Sequence, residues 1–174
     1  MKKLLSIIGA ISLVGTSTTS LVACNKPIIY TPEQLKKLKE KNNITTKDGI
    51  LQWIAPQEKP FNTVDNKWYY VVWKGQNWNI SKFKNYEEII PPKHEYQYKT
   101  IDEKSKYKIQ LRYYSRNDTK INLIIFKSIN EPTFIWEENS NNFKSVYRWN
   151  LDTQEPPNLE NLEVDKDGNV IVNN

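Results

Sequence analysis

The chain has 174 residues, with 25 Lys and Arg against 20 Asp and Glu, a net charge of +5. A single cysteine excludes an intramolecular disulfide framework, and a single histidine excludes the multi-imidazole sets of most zinc sites. The length suits one domain and hardly two.

Residues 1–23 have the three parts of an export signal. Lys2 and Lys3 make a positive start, and Leu4 to Val14 is an uncharged, mainly apolar run. The polar stretch Thr16 to Ser20 interrupts it, so the segment is too short for the roughly 20 apolar residues of a membrane span. Leu21, Val22 and Ala23 then precede Cys24, a pattern that resembles the bacterial lipobox. The resemblance implies cleavage before Cys24 and a diacylglyceryl group on its thiol, with Leu21, Val22 and Ala23 as the signal-peptidase recognition residues. Two acyl chains hold a protein firmly where one gives only reversible binding. The expected organisation is a signal peptide over 1–23, a lipidated cysteine and tether over 24–30, a short helix over 31–42 and a β-rich domain over 43–174.

Without residues 1–23 the chain keeps 23 basic and 20 acidic residues, a net charge of +3. Lysines such as Lys106, Lys108 and Lys120 alternate with apolar residues, as on a solvated sheet face, so nucleic acid is not expected as a partner. Asn, Lys and Ile together make up 61 of the 174 residues. With the opening MKKLLSIIGAISLVGT…LVAC, this bias resembles lipoproteins of the wall-less mollicutes, of the spiroplasma type. The aromatic stretch Lys67 to Lys84 and the segment Val146-Tyr147-Arg148-Trp149 are also similar to uncharacterised members of that group. The resemblance implies an anchor on the outer face of a single cell membrane, and no activity to carry over.

In chain order, Thr31-Pro32-Glu33-Gln34 reads as a helix start. Thr31 caps, Pro32 suits the first helical position and Gln34 completes a capping box. Leu35 and Leu38 give that helix a narrow apolar stripe, fitting a spacer or a lid at the domain edge. From Ile50 the period becomes two. Trp68 to Trp73 is apolar on both faces, which predicts a central strand. Gly75-Gln76-Asn77 turns the chain into Trp78 to Phe83. Tyr96, Tyr98 and Thr100 alternate with Gln97 and Lys99. Tyr107, Ile109, Leu111 and Tyr113 alternate with polar residues, the pattern of a strand with one buried face. After a turn at Asn117-Asp118, Ile121 to Phe126 is apolar on both faces. Phe134 to Trp136 and Phe143 to Trp149 are expected to pair as a hairpin, and Leu162 to Val164 with Asn169 to Val172 as another. The fold class is mainly β: a single antiparallel sandwich or small barrel of about seven to nine strands after one short helix.

Motifs for chemistry are sparse. His94 stands alone between Lys93 and Glu95, and no G-x-S-x-G elbow accompanies it. Asp165-Lys166-Asp167-Gly168-Asn169 has its glycine too early for a calcium loop and reads as a hairpin turn. Glu87-Glu88 and Glu137-Glu138 invite comparison with glycosidase carboxylates, but neighbours on a strand point to opposite faces. A pairing across the fold, such as Glu88 with Glu137, stays open. The six Trp and ten Tyr are the remaining lead, with Trp68, Trp73, Trp78 and Trp149 as candidate ligand-binding aromatics if they line one surface. No cofactor and no metal are called for. The expectation is a non-enzymatic, lipid-anchored surface protein binding an extracellular or host protein or glycan. The alternatives are a carboxylate-dependent extracytoplasmic hydrolase and an accessory subunit of a membrane complex.

Overall fold

The computed structural model describes residues 29–115, 119–138, 141–151, 156 and 158–173. Cys24 and the residues before it lie outside this set, as does the expected Asn117-Asp118 turn.

Helix α1 (Pro32–Asn42) starts as its sequence dictates: the Thr31 hydroxyl accepts from the Gln34 N–H at 3.3 Å, and the Gln34 side chain accepts from the Thr31 N–H at 2.9 Å. None of its residues is buried, so it rests at the edge of the domain, against β2. The described residues form eleven strands: β1 (Ile44–Thr45), β2 (Ile50–Ile54), β3 (Trp68–Lys74), β4 (Trp78–Lys84), β5 (Tyr96–Lys104), β6 (Tyr107–Ser115), β7 (Thr119–Phe126), β8 (Phe134–Ile135), β9 (Phe143–Trp149), β10 (Leu162–Val164) and β11 (Val170–Val172). They form a five-stranded sheet in the order β1-β2-β9-β3-β4, a four-stranded sheet β5-β6-β7-β8 and the hairpin β10-β11. All named strand pairs are antiparallel. The architecture is a sandwich of two open sheets rather than a closed barrel.

Two apolar layers hold it. The first lies between the large sheets, where Ile54, Tyr69, Val71, Trp73, Phe83 and Val146 meet Ile109, Leu111, Tyr113, Leu123 and Ile125. Tyr107, Ile109, Leu111 and Tyr113 therefore face inward, as their alternation predicts. The second lies on the far side of the five-stranded sheet, where Leu51, Tyr70, Val72, Tyr147 and Trp149 are covered by Leu162 and by Val164, Val170 and Val172 of the terminal hairpin. The two layers explain why β3 is apolar on both faces: its residues Tyr69 to Trp73 are all fully buried. Its indole N–H is provided for. Trp73 Nε1 donates to Ser81 Oγ at 2.8 Å, and Ser81 Oγ donates to Asp102 Oδ2 at 2.7 Å, joining β3, β4 and β5. Asp102 reaches inward because the β5–β6 register shifts between Thr100 and Asp102.

One expected hairpin does not form. Phe134–Ile135 pairs with β7 in the four-stranded sheet, whereas Phe143–Trp149 crosses over and inserts between β2 and β3 in the other sheet. Trp136 to Glu138 forms a 3₁₀ turn where the chain leaves one sheet for the other. Trp136 is buried against Phe61, with ring centroids 6.0 Å apart, and this anchors the crossover. The hairpin β10-β11 does form, and its turn is the Asp165 to Asn169 loop. Asp165 Oδ1 accepts from the N–H groups of Asp167 and Asn169, each at 2.8 Å, and Gly168 takes a φ of +83°. The Asn169 side-chain amide, which donates to Asp165 Oδ2 at 2.9 Å, and these backbone N–H groups hold the Asp165 carboxyl below the usual carboxylate range.

Candidate binding surface

The four tryptophans do not share a surface. Trp68, Tyr70 and Val72 leave β3 on the side of the terminal hairpin, and Trp73 leaves on the other, so it is buried between the sheets. Trp149 is also fully buried, under the hairpin. Neither can touch a ligand. Trp68 and Trp78 are half-buried on that same side, with Lys82 Nζ 5.1 Å from the Trp68 ring and Lys74 Nζ 5.4 Å from the Trp78 ring. Gly168 lies against the Trp78 indole, and a Cβ there would sit 2.9 Å from the ring. The expectation of a tryptophan-lined site is corrected: these side chains build and cap the core, because the sheet that carries them is covered on both faces.

The open aromatic face is elsewhere. In the four-stranded sheet, the register Tyr96↔Tyr114, Tyr98↔Arg112, Thr100↔Gln110 and Arg112↔Asn122 brings these residues to the side away from the core. Tyr96 and Tyr98 are each 52% exposed. Tyr96 stacks on Tyr114 with centroids 4.6 Å apart and on Tyr98 at 6.4 Å, and the Arg112 guanidinium lies 5.4 Å from the Tyr96 ring. Polar side chains are set among the rings. Gln110 Nε2 donates to Thr100 Oγ1 at 2.9 Å, and Arg112 Nη2 donates to Asn122 Oδ1 at 3.3 Å. Arg112 Nε is buried without a partner. Beside this cluster, Tyr98, Lys108, Gln110, Phe126 and Ile129 line an open depression of about 350 Å³. Ile129 on its rim is 93% exposed. These rings sit on adjacent antiparallel strands, so their spacing is fixed by the sheet rather than by a loop.

The carboxylates separate. Glu87 and Glu88 are exposed and line a cavity with Phe61, Asn85, Ile90 and Tyr113. Glu137 is half-buried at the crossover and lines a different cavity, and Glu138 beside it is exposed. The proposed cross-pair of Glu88 and Glu137 thus does not share a cavity. Burial pushes the Glu137 carboxyl up, against weaker opposing effects from its own backbone N–H, an Asn122 hydrogen bond and the Arg112 charge. Its Oε2 is buried without a hydrogen-bond partner. His94 is exposed in the Pro92 to Glu95 turn, in left-handed backbone at φ 67°, with its N–H donated to the Ser115 carbonyl. Among the described residues, no three His, Cys, Asp or Glu side chains gather as a metal site, and no helix is long and apolar enough to cross a membrane.

The tyrosine face was not singled out in the sequence. The signal that could have found it was the short β5–β6 turn at Ser105-Lys106, which sets Tyr96 and Tyr98 opposite Tyr114 and Arg112, on the polar side of β6. No protein-family model matches the chain, and no curated protein and no solved structure is significantly similar to it.

Proposed function

We propose that the chain is a lipid-anchored surface lipoprotein, tethered outside the cell membrane through Cys24, whose β-sandwich is a non-enzymatic binding module for an extracellular glycan. One observation carries the ligand assignment: Tyr96, Tyr98 and Tyr114 stack along an uncovered sheet face with Arg112, Gln110, Asn122 and Thr100 set among them. The negative face of a phenol ring attracts the polarised C–H bonds on the flat side of a sugar. The planar amides and the guanidinium supply donors and acceptors for its hydroxyls. Tyr and Arg are also costly to truncate at binding surfaces, while their strand positions keep them preorganised. The anchor rests on the charged start, apolar run and Leu21-Val22-Ala23-Cys24 of the sequence.

Two experiments test the two halves. Intact mass of the membrane-extracted protein is expected to show loss of residues 1–23 and gain of a diacylglyceryl group, with Cys24→Ser left uncleaved. An unprocessed wild type overturns the anchor. For the module, a glycan array probed with wild type and with Tyr96→Ala/Tyr98→Ala is expected to show binding that the double variant loses about tenfold or more, which is about 1.4 kcal/mol. Binding that the variant retains, or capture of a protein ligand only, overturns the glycan assignment. For the hydrolase alternative, burial raises one carboxyl, that of Glu137, above its ordinary range, but among the described residues no second acid lines its cavity.

A further inference from the structure

The uncovered face of the four-stranded sheet carries charge as well as rings, and strand register orders the charge. Arg112 lies between Tyr98 and Asn122, and Lys120 lies opposite Tyr114. Lys120 is exposed and Arg112 is half-buried, with its guanidinium 5.4 Å from the Tyr96 ring. Among the described residues neither cation is in an ion pair. Lys108, a third cation on this face, is paired with Glu103 at 3.1 Å. The stacked pair of Tyr96 and Tyr114 thus has an unmatched positive charge beside each ring.

The row that holds Arg112 continues to the crossover between the sheets. Carrying the β7–β8 register Ile124↔Ile135 two residues further brings Glu137 beside Asn122. Asn122 then stands between two opposite charges: its Oδ1 accepts from Arg112 Nη2 at 3.3 Å, and its side chain hydrogen-bonds the Glu137 carboxyl. Arg112 and Glu137 form no direct ion pair, and each keeps a buried atom without a partner, Nε and Oε2. The charged groups around Glu137 are Arg112 of β6, the adjacent Glu138, and Lys144 of β9, which lines the same cavity. Glu58, in the neighbouring 3₁₀ turn Pro56–Glu58, is taken by Lys39. Burial outweighs the Arg112 charge and raises the Glu137 carboxyl, which favours its neutral form. A neutral Glu137 leaves the Arg112 charge uncompensated.

A neutral sugar meets the rings and amides of this face but gives Arg112 and Lys120 no counter-charge. A sugar bearing a carboxylate or sulfate gives them one, and hydrogen bonds between ionised groups are roughly twice as strong as neutral ones. We propose that the tyrosine face selects an acidic glycan, whose carboxylate or sulfate is received by Arg112 and Lys120, and that Glu137 is the positioning residue of Arg112, acting through Asn122. The proposal rests on the glycan reading above and adds the charge of the ligand and its control.

The sign of the control follows from the row. Neutral Glu137 leaves the Arg112 charge to the ligand, whereas ionised Glu137 competes for it. Binding of an acidic glycan therefore tightens as pH falls through the raised Glu137 range. Binding of a neutral glycan does not change.

The full chain is tested on an array of acidic glycans printed beside their carboxyl-reduced or desulfated counterparts, at pH about 8 and about 5. Binding to the neutral counterparts is expected to be weaker by about tenfold or more. Arg112→Gln is expected to erase that preference and keep the weaker binding. Glu137→Gln keeps the side-chain shape and is expected to bind acidic members at the upper pH about threefold or more tighter than wild type, with no pH dependence. A second measurement needs no glycan: an NMR titration of the Glu137 carboxyl, expected to move further upward in Arg112→Gln because a favourable charge is gone. Unchanged far-ultraviolet spectra show that both variants are folded. Equal binding to acidic and neutral members overturns the acidic assignment and leaves the glycan reading standing, whereas binding to no glycan overturns both. An unchanged pH profile in Glu137→Gln, or an unmoved Glu137 titration in Arg112→Gln, overturns the positioning role.

Discussion

Replacing Ser81 with alanine removes one hydroxyl from the interior and leaves two groups without their partner. Ser81 is 2% exposed, and Trp73, whose Nε1–H it accepts at 2.8 Å, is fully buried. Water cannot take the place of the lost oxygen. A buried donor left unsatisfied costs about 1–3 kcal/mol, against about 1 kcal/mol for the net loss of an ordinary hydrogen bond. The same substitution strips Asp102 Oδ2 of a donor at 2.7 Å. Ser81→Ala is therefore expected to destabilise the fold by about 2 kcal/mol, a drop in Tm of roughly 4–8 °C for a chain of this size. The assay is urea unfolding followed by tryptophan emission, with a lower midpoint at unchanged m. Trp73→Phe supplies the control, since it removes the N–H that Ser81 serves. In that background Ser81→Ala should cost less by about 1 kcal/mol, the coupling of the pair. A cost under about 0.5 kcal/mol in the wild-type background, the size of a surface change, refutes the reasoning. So does an equal cost in both backgrounds.

Glu137 makes a pH prediction. Its carboxyl is raised by burial, so the folded state resists its ionisation and loses stability as pH climbs from the ordinary carboxylate range through the raised value. Glu137→Gln carries no such charge, so the variant should match wild type in acid and exceed it at neutral pH in denaturant midpoint. A difference that is constant with pH contradicts this. Gly49→Ala tests close packing instead. Its Cβ would lie 2.6 Å from Trp149 Cη2 and 2.8 Å from Asn150 Oδ1, the atom that accepts the Ile50 N–H at 2.7 Å. Trp149 is enclosed, so a loss of about 1–3 kcal/mol is expected in thermal or urea unfolding. Wild-type stability would show that the indole can move aside.

Local rules were readable in the sequence where local bonds decide the structure. The Thr31–Gln34 capping box, the inward phase of Tyr107 to Tyr113 and the Asp165 to Asn169 turn each depend on residues a few positions apart, and each formed. Pairing between distant strands was not readable in this way. Phe143 to Trp149 has the pattern of a buried strand whichever neighbour it takes, and the inter-sheet crossover arises because its partners are β2 and β3 rather than Phe134–Ile135. Alternation likewise reveals a strand's period but not which phase meets the core. Tyr96 and Tyr98 turned outward because their cross-strand partners Tyr114 and Arg112 lie on the outer side of β6. Trp73 and Trp149 were drawn inside by layers on both sides of their sheet, one of them supplied by the last strands of the chain.

The insertion of β9 governs the order in which the domain can be completed. Its pairing Leu51↔Trp149 and the bond from the Ile50 N–H to Asn150 Oδ1, 100 residues later, each close a long span of chain. A polypeptide emerging amino end first holds β2 and β3 apart, each with an unpaired edge, until Phe143 to Trp149 has followed. Loop closure over such a span is slow, and open edges invite pairing with other chains in the meantime. Stopping the chain before Phe143 thus removes more than one strand: it takes Val146 from one core layer and Tyr147 and Trp149 from the other, and leaves the five-stranded sheet in two pieces.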